Sequence, residues 1–80
     1  MAETREQIIE LADELIRTRG FNAFSYSDIS GPLAIRNSAV HYHFPTKVDL
    51  GEAVIEAELQ RVADIRRELG GLPGDEQLKA

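Results

Sequence analysis

Three times along the chain a serine or threonine is followed, three residues later, by an acid or an amide, and each time a run with helical apolar spacing begins. The pairs are Thr4 with Gln7, Ser25 with Asp28 and Thr46 with Asp49. In such a capping box the hydroxyl accepts from the later N–H and the later side chain reaches back to the first N–H. Two of the donors that every helix start leaves free are then satisfied. The chain is therefore read as a set of short helices, and their lengths and breaks decide the rest.

The first run places Ile8, Ile9, Leu11, Ala12, Leu15 and Ile16 on one face, the stripe of an amphipathic helix over about 5–19. Acids crowd its early turns, Arg17 and Arg19 its last, and both placements suit the helix dipole. Gly20 is expected as the left-handed stop. Phe21 and Phe24 follow, and two aromatics just beyond a helix end are read as core plugs.

The stretch from Ser25 to Phe44 is the most informative. Helix 2 is expected over about 26–33, with Ile29 and Leu33 turned inward. Gly31-Pro32 lies inside it, so a kink, or an end and restart near Gly31, is expected there. Ala34-Ile35-Arg36 forms the turn, with Ile35 locking the helices together. Asn37 to Phe44 forms helix 3, with Val40 and Phe44 on its inner face and Asn37, Ser38, His41 and Tyr42 outward or flanking. Two short helices across a tight break are the pattern of a helix-turn-helix. Pro45 ends helix 3. Helix 4 is expected over about 47–69, with Leu50, Val54, Ala57, Val62, Ile65 and Leu69 on its inner face and Ala53 and Ala63 beside them. Gly70-Gly71 stops it, Leu72-Pro73-Gly74 turns, and Asp75 could cap a helix for which few residues remain. That aborted start reads as the beginning of a larger helical domain.

A net charge of −5 argues against nucleic acid until its distribution is examined. Residues 1–16 and 48–80 each carry −4, whereas residues 17–47 carry +3 from Arg17, Arg19, Arg36 and Lys47 against Asp28. Charges beyond a Debye length of ~8 Å are largely screened at physiological salt, so a nucleic acid responds to the local patch. The chain has no cysteine, hence no disulfide or thiolate metal site. It shows no signal peptide and no apolar run near the ~20 residues that span a bilayer, so the expected location is the cytoplasm, with no membrane partner.

The residues also carry a resemblance. Arg-Thr-Arg-Gly-Phe closing helix 1, Phe24-Ser25-x-x-Asp28-Ile29, Ile35-x-x-Ser38-x-Val40, and His43-Phe44-Pro45-Thr46-Lys47-x-x-Leu50 recur at fixed spacing. Over roughly residues 4–55 the chain resembles the N-terminal DNA-binding domain of TetR/AcrR-type transcriptional regulators. The resemblance implies an all-α fold, a three-helix head whose helices 2 and 3 form the helix-turn-helix, carried on a long fourth helix. The division would be a head over 1–46, a connecting helix over 47–71, and the start of a C-terminal ligand-binding and dimerisation domain over 72–80. It implies a homodimer on a near-palindromic double-stranded operator, repression as the usual mode, and a small-molecule effector in the full-length protein. Carried over by position, Ser25 and Lys47 would hold phosphates, Asn37 and Ser38 would read base edges, and Tyr42 would lie on the backbone or a thymine methyl.

Some positions depart from the family pattern. Ala34 stands where glycine is usual, which implies a turn with less positive φ or a strained one. Arg36 replaces a capping Ser or Thr, weakening the cap of helix 3 but placing a cation beside the groove. His41 replaces a tyrosine at a phosphate-contacting position, and its contact would strengthen on acidification. Physical chemistry supports the roles independently: helix starts at Ser25 and Thr46 favour phosphate, and asparagine can pair bidentately with adenine, arginine with guanine.

Other functions are disfavoured. His41 and His43 lie two apart, about 200° around a helix, and cannot chelate one ion together. Ser38 and His41 have no orienting carboxylate nearby in sequence and no oxyanion loop, so no enzyme activity is expected. No cofactor is implied. The competing class is a small helical protein–protein interaction module without DNA binding, which the acidic helices 1 and 4 would suit.

Overall fold

Near each helix start an amide finds a partner within one turn, and those partners mark where the four helices begin. The structure, a computed structural model, describes residues 3–70. It contains α1 (Thr4–Arg19), a 3-10 turn (Phe21–Ala23), α2 (Ser27–Leu33), α3 (Asn37–His43) and α4 (Lys47–Gly70), with no strand among the described residues. The turn and cap expected over residues 71–75, and all of 72–80, lie outside the described residues.

The box at Thr46 forms in full. Asp49 N–H donates to Thr46 Oγ1 and Thr46 N–H to Asp49 Oδ2, both at 3.1 Å. At Ser25 half of it forms: Ser25 N–H donates to Asp28 Oδ2 at 2.8 Å, while the Ser25 hydroxyl pairs with Ser27 Oγ at 2.8 Å. At α1 the box sits one residue earlier than the sequence suggests. Gln7 N–H already donates to the Glu3 carbonyl at 2.9 Å. No amide is left for the Thr4 hydroxyl, and Glu3 N–H is satisfied instead by Glu6 at 3.3 Å.

Gly20 ends α1 with φ 93° and ψ 156°. The positive φ is as expected, but the ψ is extended rather than left-handed helical, a conformation essentially reserved for glycine. It sends the chain into the 3-10 turn, where Phe21 lies against α4. Gly51 permits that approach, because a Cβ there would stand 2.9 Å from the Phe21 ring.

Gly31-Pro32 does not break α2, which runs on to Leu33. The clash that proline imposes on the preceding residue involves that residue's Cβ, and glycine has none. Pro32 lies in the last turn, so few bonds depend on it. The stop comes at Ala34, in the left-handed helical region with φ 57° and ψ 41°. Ala34 N–H donates to the Gly31 carbonyl and Ile35 N–H to that of Ser30, each at 3.0 Å. These are the two bonds of a Schellman motif. The turn therefore keeps its positive φ, and the alanine carries the strain.

The core joins Ile8, Ala12 and Leu15 of α1, Ile29 of α2, Val40 of α3, and Leu50 and Val54 of α4, closed by Phe24 and Phe44 from the connections. Leu33 and Ile35 pack against it, half-buried. Tyr26 is also buried, and its hydroxyl donates to the Phe44 carbonyl at 2.8 Å, tying the start of α2 to the end of α3. Beyond Val54 the expected inner face of α4 is uncovered. Val62, Ile65 and Leu69 are exposed, as are Ala57 and Ala63, and the neighbouring Ile55 and Leu59 are 61% and 64% exposed. Asp13, Arg17, Glu58 and Arg61 line a polar hollow where α1 leaves α4. Past that point nothing else in the described chain is there to pack on the stripe.

Candidate nucleic-acid interface

Helix α3 is held from below and free above. Val40 is fully buried, while Asn37, Ser38, His41 and Tyr42 are all exposed, Tyr42 at 82%. Arg36 precedes them in an extended conformation (φ −84°, ψ 152°) and caps the helix with its backbone alone, as its missing hydroxyl suggests. Its carbonyl accepts from Ala39 N–H at 2.9 Å, and its exposed guanidinium adds the cation the sequence places beside α3.

Three of the outward residues have partners, and Tyr42 meets the neighbouring His43 ring edge-on with centroids 5.2 Å apart. His41 stacks on Tyr26 with ring centroids 4.5 Å apart, so the Tyr26 bridge to Phe44 also orients the imidazole. Burial raises the Tyr26 phenol above its ordinary pKa, with a further contribution from the Asp49 charge, which keeps it a donor. Asn37 accepts a hydrogen bond at Oδ1 from the hydroxyl of Ser30, a buried residue of α2.

The flanking helix starts are partly occupied. The N–H groups of Ser25 and Thr46 are given to Asp28 and Asp49, as the capping boxes imply. The hydroxyls are engaged as well, Ser25 Oγ with Ser27 Oγ and Thr46 Oγ1 with the Asp49 N–H, but both residues are exposed and each oxygen keeps capacity for a further bond. The Asp28 carboxyl is held below its ordinary pKa chiefly by the Ser25 N–H, aided by the Arg19 guanidinium at 3.7 Å. Arg19 is thus a neutralising partner inside the patch.

Lys47 differs most from expectation. Its ammonium turns inward, donating to the Phe24 carbonyl and lying 4.1 Å and 5.2 Å from the centroids of the Phe24 and Phe21 rings. These contacts pin the connection after α1 to the start of α4. Sequence reasoning missed Tyr26 and Ser30. Both fall on the inner stripe 26, 29, 30, 33 of α2, where a polar atom needs a partner. That is the signal that could have found them.

The fold places one short helix outward, flanked by two hydroxyl-bearing helix starts, and known proteins share it. The family described as "Bacterial regulatory proteins, tetR family" matches residues 8–54. The chain belongs to this family. Its members are transcriptional regulators, not enzymes. Among relatives, the HTH-type transcriptional regulator CymR of Pseudomonas putida is 29% identical over 65 residues, covering 81% of this chain and 32% of its own length. The HTH-type transcriptional repressor BepR of Brucella suis is 32% identical over 54 residues, covering 68% and 26%. A TetR transcriptional regulator from Legionella pneumophila, known as a crystal structure, superposes with a TM-score of 0.84 at 38% identity, covering 88% of this chain and 38% of its own. The chain thus spans about a third or less of the length of these curated relatives. The head-on-a-helix architecture is that of a TetR-family DNA-binding domain, and no helix among the described residues is long and apolar enough to cross a membrane.

Proposed function

We propose that this chain is the DNA-reading head of a cytoplasmic regulator that represses transcription as a homodimer on a near-palindromic operator and is released by a small-molecule effector. The observation that carries the reading is α3, packed through Val40 and presenting Asn37, Ser38, His41 and Tyr42 to solvent with Arg36 at its start. A short helix presented in this way fits the major groove, its N-terminal residues reaching base edges. Asn37 and Ser38 would read bases. The hydroxyls of Ser25 and Thr46, with Arg36, His41 and Tyr42, would hold or border the phosphate backbone. Lys47 is left out of the phosphate set and supports the fold. The exposed stripe from Ile55 to Leu69 is the surface on which an effector-binding and dimerising domain would pack.

Repression by a dimer needs recognition helices about 34 Å apart, so a single head should bind weakly. The test is fluorescence anisotropy with a labelled duplex at about 50 and 200 mM salt, where each phosphate contact contributes about −0.9 to the slope of log K against log salt. Binding that weakens steeply with salt, and weakens further in Arg36→Ala, supports the reading. No binding at the lower salt, for this chain or for one fused to a dimerising coiled coil, would favour a protein-interaction module docking through α4.

A further inference from the structure

Ser30 stands on the inner stripe of α2 and is 6% exposed. Its backbone is fully used, the N–H donating to the Tyr26 carbonyl at 2.8 Å and the carbonyl accepting from Ile35 N–H at 3.0 Å. Its hydroxyl donates across the turn to Asn37 Oδ1. Asn37 is the first residue of α3 and is itself exposed. A buried residue thus grips one end of the side chain best placed to read a base.

A carboxamide has two different ends, an oxygen that accepts and an amino group that donates. To pair bidentately with adenine, asparagine needs both: its oxygen accepts from N6–H while its amino group donates to N7. In this protein the oxygen is drawn toward α2. Asn37 is exposed, and its amino group is the end that the Ser30 hydroxyl does not hold. Guanine offers acceptors only on its major-groove edge, N7 and O6, whereas adenine offers N7 beside an N6 donor. Held this way, Asn37 offers its amino group, which guanine accepts at N7 or O6, whereas the adenine N6–H needs the oxygen that Ser30 already engages.

We propose that Ser30 is a specificity-positioning residue: by holding Asn37 Oδ1 it makes Asn37 select guanine, not adenine, at its base position. This rests on the DNA-binding reading above. It separates reading from packing, because a buried residue decides which base its exposed neighbour prefers. Alanine at position 30 suits a buried helical site. It releases Oδ1 and restores the adenine-type pairing.

The test uses the 80-residue chain and two measurements. The first is the ¹⁵N–¹H spectrum of the free protein, in which the Asn37 side-chain amide signals should move in Ser30→Ala while the backbone signals of Val40 and Leu50 stay in place. Unmoved Asn37 signals would overturn the coupling whatever the chain does with DNA. The second is selection from a randomised duplex pool at about 50 mM salt. The wild-type chain should enrich guanine at one position, Asn37→Ala should lose that preference, and Ser30→Ala should shift it toward adenine by fivefold or more, the low end of a bidentate pair. The same preference in wild type and Ser30→Ala, or adenine already favoured by wild type, would overturn the proposal. Moved Asn37 signals with no duplex retained by the wild-type chain, alone or fused to a dimerising coiled coil, would instead refute the DNA reading, and the assignment of base choice with it.

Discussion

Ala34 is the one non-glycine residue with positive φ among the described residues, at φ 57° and ψ 41°. An L-residue there brings its Cβ too close to the neighbouring backbone, at a cost of roughly 1–2 kcal/mol. Glycine removes the clash but widens the unfolded ensemble, which costs about 0.4–1 kcal/mol. Ala34 is exposed, so no packing is lost. The two Schellman bonds, each 3.0 Å, need only the backbone. Ala34→Gly should therefore stabilise the chain by roughly 0.5–1 kcal/mol, the difference of the two costs. For a domain of this size 1 kcal/mol moves Tm by about 4–8 °C, so a rise of about 2–8 °C is expected. Thermal unfolding followed by circular dichroism measures it, and urea unfolding with an unchanged slope would show that stability changed without a change in the surface exposed on unfolding. Ala57→Gly is the internal control, exposed in the middle of α4, where glycine should cost about 1 kcal/mol. An Ala34→Gly Tm at or below wild type would refute the reasoning, since the strain would then not be held in that turn.

Three further outcomes are expected. Tyr26→Phe removes the buried bond to the Phe44 carbonyl and should cost about 1–3 kcal/mol in chemical unfolding, the penalty of an unsatisfied buried acceptor. Lys47→Ala should lower stability by about 1–3 kcal/mol, since a charged hydrogen bond and two ring contacts go. It should leave the salt slope of DNA binding within a few tenths of wild type, and a slope flattened by about one unit would restore Lys47 to the phosphate set. Asp28 has its folded pKa below the ordinary 3.8, so the stability it contributes is full above that value and is lost as pH falls through the folded pKa. The gap in Tm between wild type and Asp28→Asn should accordingly narrow below about pH 4, and a gap that stays constant would show that the carboxylate charge contributes nothing.

Much of the fold is legible because its signals are local. A box such as Thr46–Asp49 closes within one turn, and the apolar spacing of Ile8 to Leu15 needs no knowledge of its partner. The stop after Leu33 is less plain, because alanine there hides a positive φ that glycine would have announced. The outward face of α3 could be read from Val40 and Phe44 alone. Contacts that cross between elements could not be read. Lys47 reaches the Phe24 carbonyl over 23 residues and Tyr26 the Phe44 carbonyl over 18, and no spacing rule reports such pairs. An amphipathic stripe also looks the same in sequence whether it is covered, as at Leu50 and Val54, or open, as at Ile55 and Leu59.

The most direct test of α3 as the reading element is to titrate ¹⁵N-labelled chain with a short duplex at low salt and map the amide shifts. The largest changes are expected at residues 36–42, with a second group around Ser25–Ser27 and Thr46 and little beyond Ile55. Changes concentrated on Ile55–Leu69, or none at all, would contradict it.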